Sequence, residues 1–433
     1  MHNLTFDTII LGAGIEGLGF AYLLNKKNID FAIIEKEKVT GGLLKSFYID
    51  GFTFDCGGHF IHTQNKKLLN FINQISNNQF VKHKRMSRIF LNKVYTEYPF
   101  QTNTFGLPER IIKECRDGLI KVLNKEIRYD NFYDWVYSVF GDGIAKRFMM
   151  PYNKKFFKYD LKKITCDWVD RFIIRPTKEE FDRGAKERII SDKGYNRLYY
   201  YPETRGIDTL IKSLEKNIDK ARIFVNSEID SIDINNKIIY LKNKKIIKYS
   251  KLVSTIPLPE LWRLIPHKKQ CAGWMNKLKW LSVRVLNLGF RGKDLNNAQW
   301  IYFPESRFRF YRIGCYHNIS KNLVPEGCIS FYIESSYRHK PQTILPLEQT
   351  IEDLIDIGLI KKEYKLLVHK EIDIKYAYII YNKAREKTIT KVREYLRGKD
   401  IVLSGRYSEW KYSTISDALM KIIEQSGSFS QPA

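Results

Sequence analysis

The chain has 433 residues, of which 44% are hydrophobic and 14% aromatic, so it can bury a large core and is neither disordered nor collagen-like. Its 73 lysines and arginines outnumber 48 aspartates and glutamates, giving a net charge of +25. A positive charge of this size is compatible with nucleic acid, an anionic membrane or phosphorylated small molecules as partners. No basic tract or tail carries the excess, however, so it is also explained by a genome of biased composition alone.

The first predicted element is a strand–turn–helix–strand unit. Residues 8–11 form a short β-branched strand, and residues 12–17 follow it with the string Gly-Ala-Gly-Ile-Glu-Gly. A helical pattern comes next, and the apolar strand at residues 31–34 ends at Glu35. This order of elements is the context in which a glycine-rich turn binds a dinucleotide.

Each glycine of this turn has a separate role in such a site. Gly12 permits the tight turn, Gly14 lets the backbone approach a pyrophosphate, and Gly17 lets the helix pack on the strand. The helix N-terminus offers partial positive charge to the diphosphate. Glu35 can accept hydrogen bonds from ribose hydroxyls. The unit therefore predicts a dinucleotide cofactor.

A second set of glycines favours FAD over a nicotinamide cofactor. Gly41, Gly42 and Leu43 form another turn, and Gly58 precedes His59 after a further strand-like run. Flavoproteins related to the amine oxidases place such turns against the extended FAD molecule. His59 is either a hydrogen-bonded loop histidine or a residue that faces the flavin, and the adjacent glycines favour the second reading.

The rest of the chain alternates between helical and strand-like patterns. Helices are predicted at residues 110–123, 132–149, 347–359 and 415–424, and strands at residues 223–225, 251–255, 301–303, 310–315, 328–334 and 401–404. The last strand runs into Gly405 and Arg406, which suits a segment that returns to cap the flavin. The predicted fold class is α/β, with a Rossmann-like FAD-binding domain, an inserted mainly helical domain and an antiparallel β-sheet domain.

No linker or repeat separates these lobes, so we expect them to be interleaved. The expected division is residues 1–85, 205–260 and 395–433 for the FAD-binding domain, 100–200 for the helical domain, and 86–99 with 261–394 for the sheet domain.

The cysteines indicate a reduced, cytoplasmic protein, because six are scattered without a CxxC pair. The apolar stretch near the N-terminus is interrupted by glycines and has no basic region, so it does not read as a signal peptide. We expect no membrane span, no metal site and no nucleic-acid partner. A homo-oligomer is left open.

Seven short sequence motifs, which occur along the chain in the same order as in one flavoprotein family, predict more than flavin binding. They are residues 57–61 (GGHFI), 98–101 (YPFQ), 143–145 (GIA), 151–153 (PYN), 302–305 (YFPE), 310–312 (FYR) and 405–412 (GRYSEWKY). Through them the chain resembles the UDP-galactopyranose mutases, particularly the eukaryotic branch, over almost its whole length. The resemblance implies FAD that is active when reduced and whose N5 forms an adduct with the sugar C1.

The resemblance also implies the ligand contacts. Tyr98, Gln101, Phe148, Asn153 and Phe157 match positions near the uracil, although Phe148 and Phe157 also read as core aromatics of helices. Arg312 matches the phosphate-binding arginine, and a guanidinium has the bidentate geometry that a diphosphate requires. The other matched contacts are Tyr378, Tyr412, Asn196 and Tyr302 for the substrate, and Ile229, Gly405, Arg406, Tyr412 and Ser416 for FAD.

The sequence departs from the family at several of these points. The family has a second phosphate-binding arginine, and its position corresponds to Phe172 in this chain. Arg171 is adjacent, and we expect it to substitute if the helix is slightly rotated. The loop after His59 carries His62 and Gln64, and Ile379 follows Tyr378 in place of a proline. The turn after Tyr412 is shorter. These departures leave the identity of the sugar open.

The predicted function is a FAD-dependent mutase that interconverts UDP-pyranose and UDP-furanose sugars, with NAD(P)H or another cellular reductant as partner. In this reading His59, Arg312, Tyr378 and Tyr412 are the catalytic residues. The alternatives are an amine oxidase-like or protoporphyrinogen oxidase-like oxidoreductase, or a basic binding protein with a degenerate dinucleotide fold.

Overall fold

A computed structural model describes residues 3–189, 197–266, 273–338 and 345–428 of the chain. It begins with strand β1 (Asn3–Leu11), helix α1 (Ile15–Lys26) and strand β2 (Phe31–Ile34). The two strands are parallel, with Thr8 paired to Phe31 and Leu11 to Ile34. The residues that pair in the two strands, 8–11 and 31–34, are all buried, which is what a parallel sheet covered on both faces requires.

The further strands are β3 (Ser46–Ile49), β4 (Phe52–Asp55), β5 (Phe80–Lys84), β6 (Ser87–Leu91), β7 (Val94–Glu97), β8 (Leu198–Pro202), β9 (Ile223–Phe224), β10 (Ile229–Asp233), β11 (Ile238–Leu241), β12 (Ile246–Ser254), β13 (Lys279–Arg291), β14 (Trp300–Tyr302), β15 (Arg312–Cys315), β16 (Cys328–Tyr337), β17 (Lys365–Ile380) and β18 (Ile401–Leu403). The further helices are α2 (Lys66–Ser76), α3 (Glu109–Leu123), α4 (Phe132–Ile144), α5 (Met150–Phe157), α6 (Val169–Phe172), α7 (Lys178–Lys186), α8 (Asp208–Glu215), α9 (Leu258–Leu264), α10 (Trp274–Lys277), α11 (Leu347–Asp356), α12 (Arg385–Arg397) and α13 (Ile415–Ser428).

The first large sheet has the order β10-β11-β12-β1-β2-β9, and β18 pairs with β12. Strands β12, β1, β2, β9 and β18 are mutually parallel where they pair. The carboxyl ends of β1, β12 and β18 therefore meet at one edge, where Gly12, Thr255 and Ser404 follow them. Ligands of open α/β sheets bind at this edge.

The second large sheet has the order β17-β13-β16-β15-β14-β6-β7. Its pairs are antiparallel except for β14 with β6, which are parallel. In this register Arg312 of β15 lies opposite Tyr302 of β14 on one side and Glu334 of β16 on the other. The sheet thus brings three polar side chains together from distant parts of the sequence.

A helical segment from α3 to α7 lies between these sheets in the sequence. Helix α4 continues through a π-turn at Ala145–Met149 into α5, so the predicted helix at residues 132–149 has irregular geometry near its end. The Ser336 hydroxyl of β16 donates to the carbonyls of Lys155 and Phe156 at 2.9 and 2.6 Å, which ties α5 to the second sheet.

The architecture confirms the predicted α/β fold class with its helical and sheet regions, while several boundaries differ. The strand predicted at residues 310–315 begins only at Arg312, and the helix predicted at 347–359 ends at Asp356. Among the described residues, the helices are all too short or too polar to cross a bilayer, and His, Cys, Asp and Glu side chains form no cluster suited to a metal ion.

Candidate functional site

The glycine turn after β1 has the geometry of a phosphate-binding turn. Gly12 adopts a positive φ of 94°, and a Cβ on Gly17 would lie 1.9 Å from the Gly12 carbonyl oxygen. Only glycine therefore lets α1 approach β1 so closely. Gly14 is the N-cap of α1, so the first backbone N–H groups of the helix are directed toward the space beyond the turn.

Glu35 at the end of β2 is buried and holds this turn in place. One carboxylate oxygen accepts the Ala13 N–H at 2.8 Å, and the other accepts the Glu37 N–H at 2.9 Å. A carboxylate oxygen has two acceptor directions. Glu35 can therefore organise the turn and accept from a ribose at the same time.

The second glycine turn closes over the first. The Gly41 N–H donates to the Ala13 carbonyl at 2.8 Å, and Gly41 and Gly42 both adopt positive φ angles. A Cβ on Gly42 would lie 3.3 Å from the Gly14 Cα. The two turns thus form a narrow cradle in which a side chain at Gly14 or Gly42 would occupy the space that a pyrophosphate needs.

One continuous cavity of about 1150 Å³ begins at this cradle and ends among the aromatic residues of the helical segment and the second sheet. Most predicted site residues line it: Gly12, Gly14, Glu35, Gly41, Gly42, Leu43, Gly58, His59, Tyr98, Gln101, Phe148, Asn153, Phe157, Ile229, Tyr302, Arg312, Tyr378, Gly405, Arg406 and Tyr412. The volume is near the upper end for ligand cavities, as a dinucleotide together with a second ligand would require.

Three predicted site residues within the described ranges are not on this wall. Gly17 packs against Gly12 beneath the turn, and the Ser416 hydroxyl donates to the His62 carbonyl at 2.7 Å, so neither faces the cavity. Arg171 makes a bidentate contact of 2.8 Å with each carboxylate oxygen of Asp417. Asn196 lies outside the described residues.

The Arg171 contact corrects the expectation that this residue replaces the second phosphate arginine. Helix α6 is only four residues long and turns Phe172 toward the cavity, where its ring meets Tyr412 edge-on at 4.9 Å. The side chain of Arg171 is 47% exposed on the other side. An aromatic ring therefore occupies the place where the family resemblance implies a cation.

His59 lines the same cavity. Its Nδ1 is buried and makes no hydrogen bond within the part of the chain that the structure describes. Burial lowers the pKa of His59 to about 4, because the charged imidazolium is poorly solvated there. The residue is therefore neutral at physiological pH and has an unused polar nitrogen beside the cavity, as expected of a group that meets a bound ring.

Arg312 is the principal buried cation of the aromatic half. Its Nε and Nη2 both contact Oε2 of Glu334 at 2.6 Å, and the two side chains are 18% and 5% exposed. Burial opposes the charge of Arg312, but Glu334 and the surrounding phenols outweigh it and hold the pKa well above its usual value. The carboxylate fixes one edge of the guanidinium, so the group is preorganised toward an anion.

Two stacked pairs of tyrosines line the same cavity as Arg312. Tyr302 and Tyr98 lie nearly parallel with centroids 5.0 Å apart, and Tyr378 and Tyr412 do so at 6.1 Å. The guanidinium of Arg406 lies 4.5 Å from the centre of the Tyr412 ring. These phenols can donate neutral hydrogen bonds to an anion at Arg312, while their faces bind planar or apolar groups.

The amides of the cavity wall are already oriented. The Gln101 amide nitrogen donates to the Ile174 carbonyl at 2.8 Å, and the Asn153 amide nitrogen donates to the Met149 carbonyl at 2.8 Å. Phe148 stacks on Tyr152 at 5.4 Å beside them. This corner thus combines an aromatic face with fixed amide oxygens, which suits recognition of a base.

Three important residues were not predicted. Glu334 anchors Arg312, and Arg85 lies over the Tyr98 and Trp300 rings at 4.9 and 5.1 Å. Lys155 of α5 is buried and donates to the carbonyls of Phe303, Glu305 and Phe310 in the turn between β14 and β15. A hairpin register would have suggested Glu334, whereas the sequence carries no signal for a buried lysine.

The comparisons with known proteins agree with this site. The sequence profile described as "Flavin containing amine oxidoreductase" matches residues 17–353 of the chain. The chain belongs to the flavin-containing amine oxidoreductase family. FAD is the cofactor, and the glycine cradle and the orphaned polar nitrogen of His59 fit it.

Solved structures extend this likeness over the whole chain. A reduced UDP-galactopyranose mutase is 26% identical with a TM-score of 0.89, covering 98% of this chain and 95% of that one. A wild-type putrescine oxidase bound to putrescine is 14% identical with a TM-score of 0.67, and 99% of each chain is covered, which shows the fold alone.

Curated relatives match only in part. The all-trans-retinol 13,14-reductase of Danio rerio is 36% identical over an alignment of 139 residues that covers 28% of this chain and 21% of that protein. Among the curated relatives matched first, the chain spans between 9% and 57% of their length.

Proposed function

We propose that this protein is a FAD-dependent nucleotide-sugar mutase that interconverts the pyranose and furanose forms of a UDP-sugar without net oxidation or reduction. The observation that carries the proposal is the Arg312–Glu334 pair, a preorganised cation in the cavity that also contains the FAD cradle. The full-length likeness to a UDP-galactopyranose mutase supports it. An amine has no need of a buried guanidinium, whereas a diphosphate does.

The nucleotide would bind in the aromatic corner. The rings of Tyr98 and Phe148 line the cavity there and would contact a uracil, and the fixed amides of Gln101 and Asn153 offer oxygen acceptors to its N–H. Phe157 also lines the cavity. Stacking on a flat base together with a few directed hydrogen bonds gives affinity and selects the base.

The diphosphate would then lie between Arg312 and the tyrosines. Negative charge increases on this group as its bond to the anomeric carbon breaks, so a fixed guanidinium stabilises the transition state more than the ground state. Tyr378 and Tyr412 add neutral donors without additional charge. The nucleoside diphosphate is retained in this clamp until it attacks the rearranged sugar.

When reduced, FAD supplies the nucleophile that the sugar carbon requires, and a cellular reductant such as NAD(P)H keeps it in that state. The protein contributes position and environment. His59 is neutral and therefore adds no charge beside the flavin, while Nδ1 is free to hydrogen-bond to its edge.

The sugar itself would lie against Phe172 and Tyr412, where a second cation is replaced by an aromatic ring. A galactose configuration is the default of the family that the sequence resembles. The aromatic wall leaves another UDP-hexose, or a deoxy or amino sugar, as an alternative that the first experiment distinguishes.

The test is turnover by dithionite-reduced holoprotein with a panel of UDP- and dTDP-sugars, with ring-contracted products identified by chromatography and NMR. Arg312→Ala should slow product formation by more than about 100-fold, while Arg171→Ala is the matched control, because that arginine is paired outside the cavity. Product formation by Arg312→Ala at the wild-type rate would contradict the proposal.

The second candidate is an amine oxidase-like or protoporphyrinogen oxidase-like activity, favoured by the family to which the chain belongs. It predicts oxygen consumption coupled to substrate and no affinity for UDP. Peroxide release with an amine or porphyrinogen, in the absence of UDP binding, would assign the protein to this class.

A further inference from the structure

Glu16 is an unexpected side chain at the FAD cradle. It is the second residue of α1, two positions after the N-cap Gly14, and it lines the cavity while being only 9% exposed. A Cβ on Gly405 would lie 2.6 Å from its Cγ, so the carboxyl group is confined between the glycine turn and the segment that follows β18. It is therefore an acidic group at the N-terminus of α1, beside the glycine cradle in which the FAD diphosphate would bind.

The lysines near Glu16 are shared with a second carboxylate. The Ser404 hydroxyl donates to Glu16 Oε2 at 3.3 Å, and Lys421 donates to Ser404 at 2.9 Å and to Glu409 at 3.1 Å. The charged groups that face Glu16 are Lys421 from α13, and Glu409 and Lys411 from the segment after β18. Lys421 is thus shared with a second carboxylate, and Lys411 is directed to Glu409.

FAD adds about two negative charges to this place, one from each phosphate of its diphosphate. An ionised Glu16 on the same wall would repel them in a poorly solvated environment, where like charges interact strongly. A protonated carboxyl group instead becomes a hydrogen-bond donor, which a phosphate oxygen readily accepts. Burial already raises the pKa of Glu16, with Glu409 adding to the effect and Lys421 opposing it.

We propose that Glu16 is part of the FAD-diphosphate subsite and binds there as the neutral acid, so that FAD binding takes up one proton. The balance is simple: ionised Glu16, one proton from solvent and free FAD give the complex with protonated Glu16. The inference depends on the FAD cofactor and not on the proposed mutase activity.

The sign of the effect follows from linkage. Because the complex favours the protonated group, the pKa of Glu16 is higher with FAD than without it. FAD affinity is then greatest below the pKa of the free protein and falls by up to about tenfold per pH unit above it. The diphosphate and the flavin of FAD do not themselves titrate between about pH 6 and pH 8.5, so this slope reports on the protein.

The experiment measures FAD dissociation from diluted holoprotein by fluorescence across this pH range, at constant ionic strength, for the wild type, Glu16→Gln and Glu409→Gln. FAD binding by the wild type should weaken as the pH rises, whereas FAD binding by Glu16→Gln should be insensitive to pH. Glu409→Gln is the matched control, since it removes a carboxylate of the same cluster that does not line the cavity, and it should keep the slope.

Calorimetry of FAD binding in two buffers of different ionisation enthalpy gives the proton count directly and needs no variant. Uptake of about one proton by the wild type and none by Glu16→Gln is expected. A pH-independent wild type without proton uptake, or a slope that survives in Glu16→Gln, overturns the proposal. A slope that vanishes only in Glu409→Gln assigns the proton to Glu409 and overturns it as well.

Discussion

Replacing Arg312 by alanine should slow turnover of a UDP-sugar by more than 100-fold. A unit charge about 4 Å from a phosphate contributes roughly 4 kcal/mol at the effective dielectric of a partly buried site. Removal of one preorganised donor to a developing negative charge costs about 3 kcal/mol in other enzymes, and that value corresponds to roughly 150-fold in rate. Because the guanidinium is held by Glu334 before any ligand arrives, little of this energy is spent on reorganisation.

The single variant has a second effect that must be separated from the first. Glu334 is 5% exposed, and without Arg312 it would be a buried carboxylate without its partner, at a cost of about 3–5 kcal/mol in folding free energy. The double variant Arg312→Ala with Glu334→Gln removes this charge, so it should fold better and remain as slow. Arg312→Lys should recover only part of the rate, because an ammonium lacks the planar fork.

The assay combines turnover of the reduced holoprotein with urea denaturation and a measurement of FAD content. FAD content should be unchanged in all three variants, since Arg312 lies in the second sheet and not in the glycine cradle. If the double variant is stable, contains FAD and turns over at the wild-type rate, the reasoning about the phosphate clamp is wrong.

Three further predictions concern other parts of the cavity. Tyr98→Ala should weaken UDP and UDP-sugar binding alike, by about 1–3 kcal/mol if the ring stacks on the base, and unchanged affinity by calorimetry would contradict this role. Gly14→Val should abolish FAD binding, because the side chain fills the cradle, and full flavin absorbance near 450 nm (approximate) would contradict it. Lys155→Met should lower the free energy of unfolding by about 2 kcal/mol, roughly 1 kcal/mol for each of the Phe303 and Phe310 carbonyls left without a donor, and an unchanged urea midpoint would contradict it.

The FAD cradle was predictable because its signals are local. Gly12, Gly14 and Gly17 are required by backbone conformation and close approach within a single turn, and Glu35 follows a buried strand of the same unit. Such constraints act between residues that are near in sequence, so the order of elements alone is sufficient to recognise them.

The aromatic half was harder to predict because it depends on tertiary packing. Arg171 and Phe172 are adjacent, and which of them faces the cavity is decided by Asp417, which lies near the end of the chain. Glu334 joins Arg312 only through the register of β15 and β16. Lysine is usually a surface residue, so the sequence does not predict that Lys155 is buried. Its burial is explained by the carbonyls of the turn between β14 and β15, which accept hydrogen bonds from its ammonium group.

The most direct test of the central claim is to approach equilibrium from both sides. Dithionite-reduced holoprotein is incubated separately with UDP-galactopyranose and with UDP-galactofuranose, or with the pair that the sugar panel selects, and the two mixtures are followed by NMR. The account predicts the same final ratio of ring forms from either side, reached only when the flavin is reduced. Persistence of both starting compounds with fully reduced, FAD-saturated protein would contradict it.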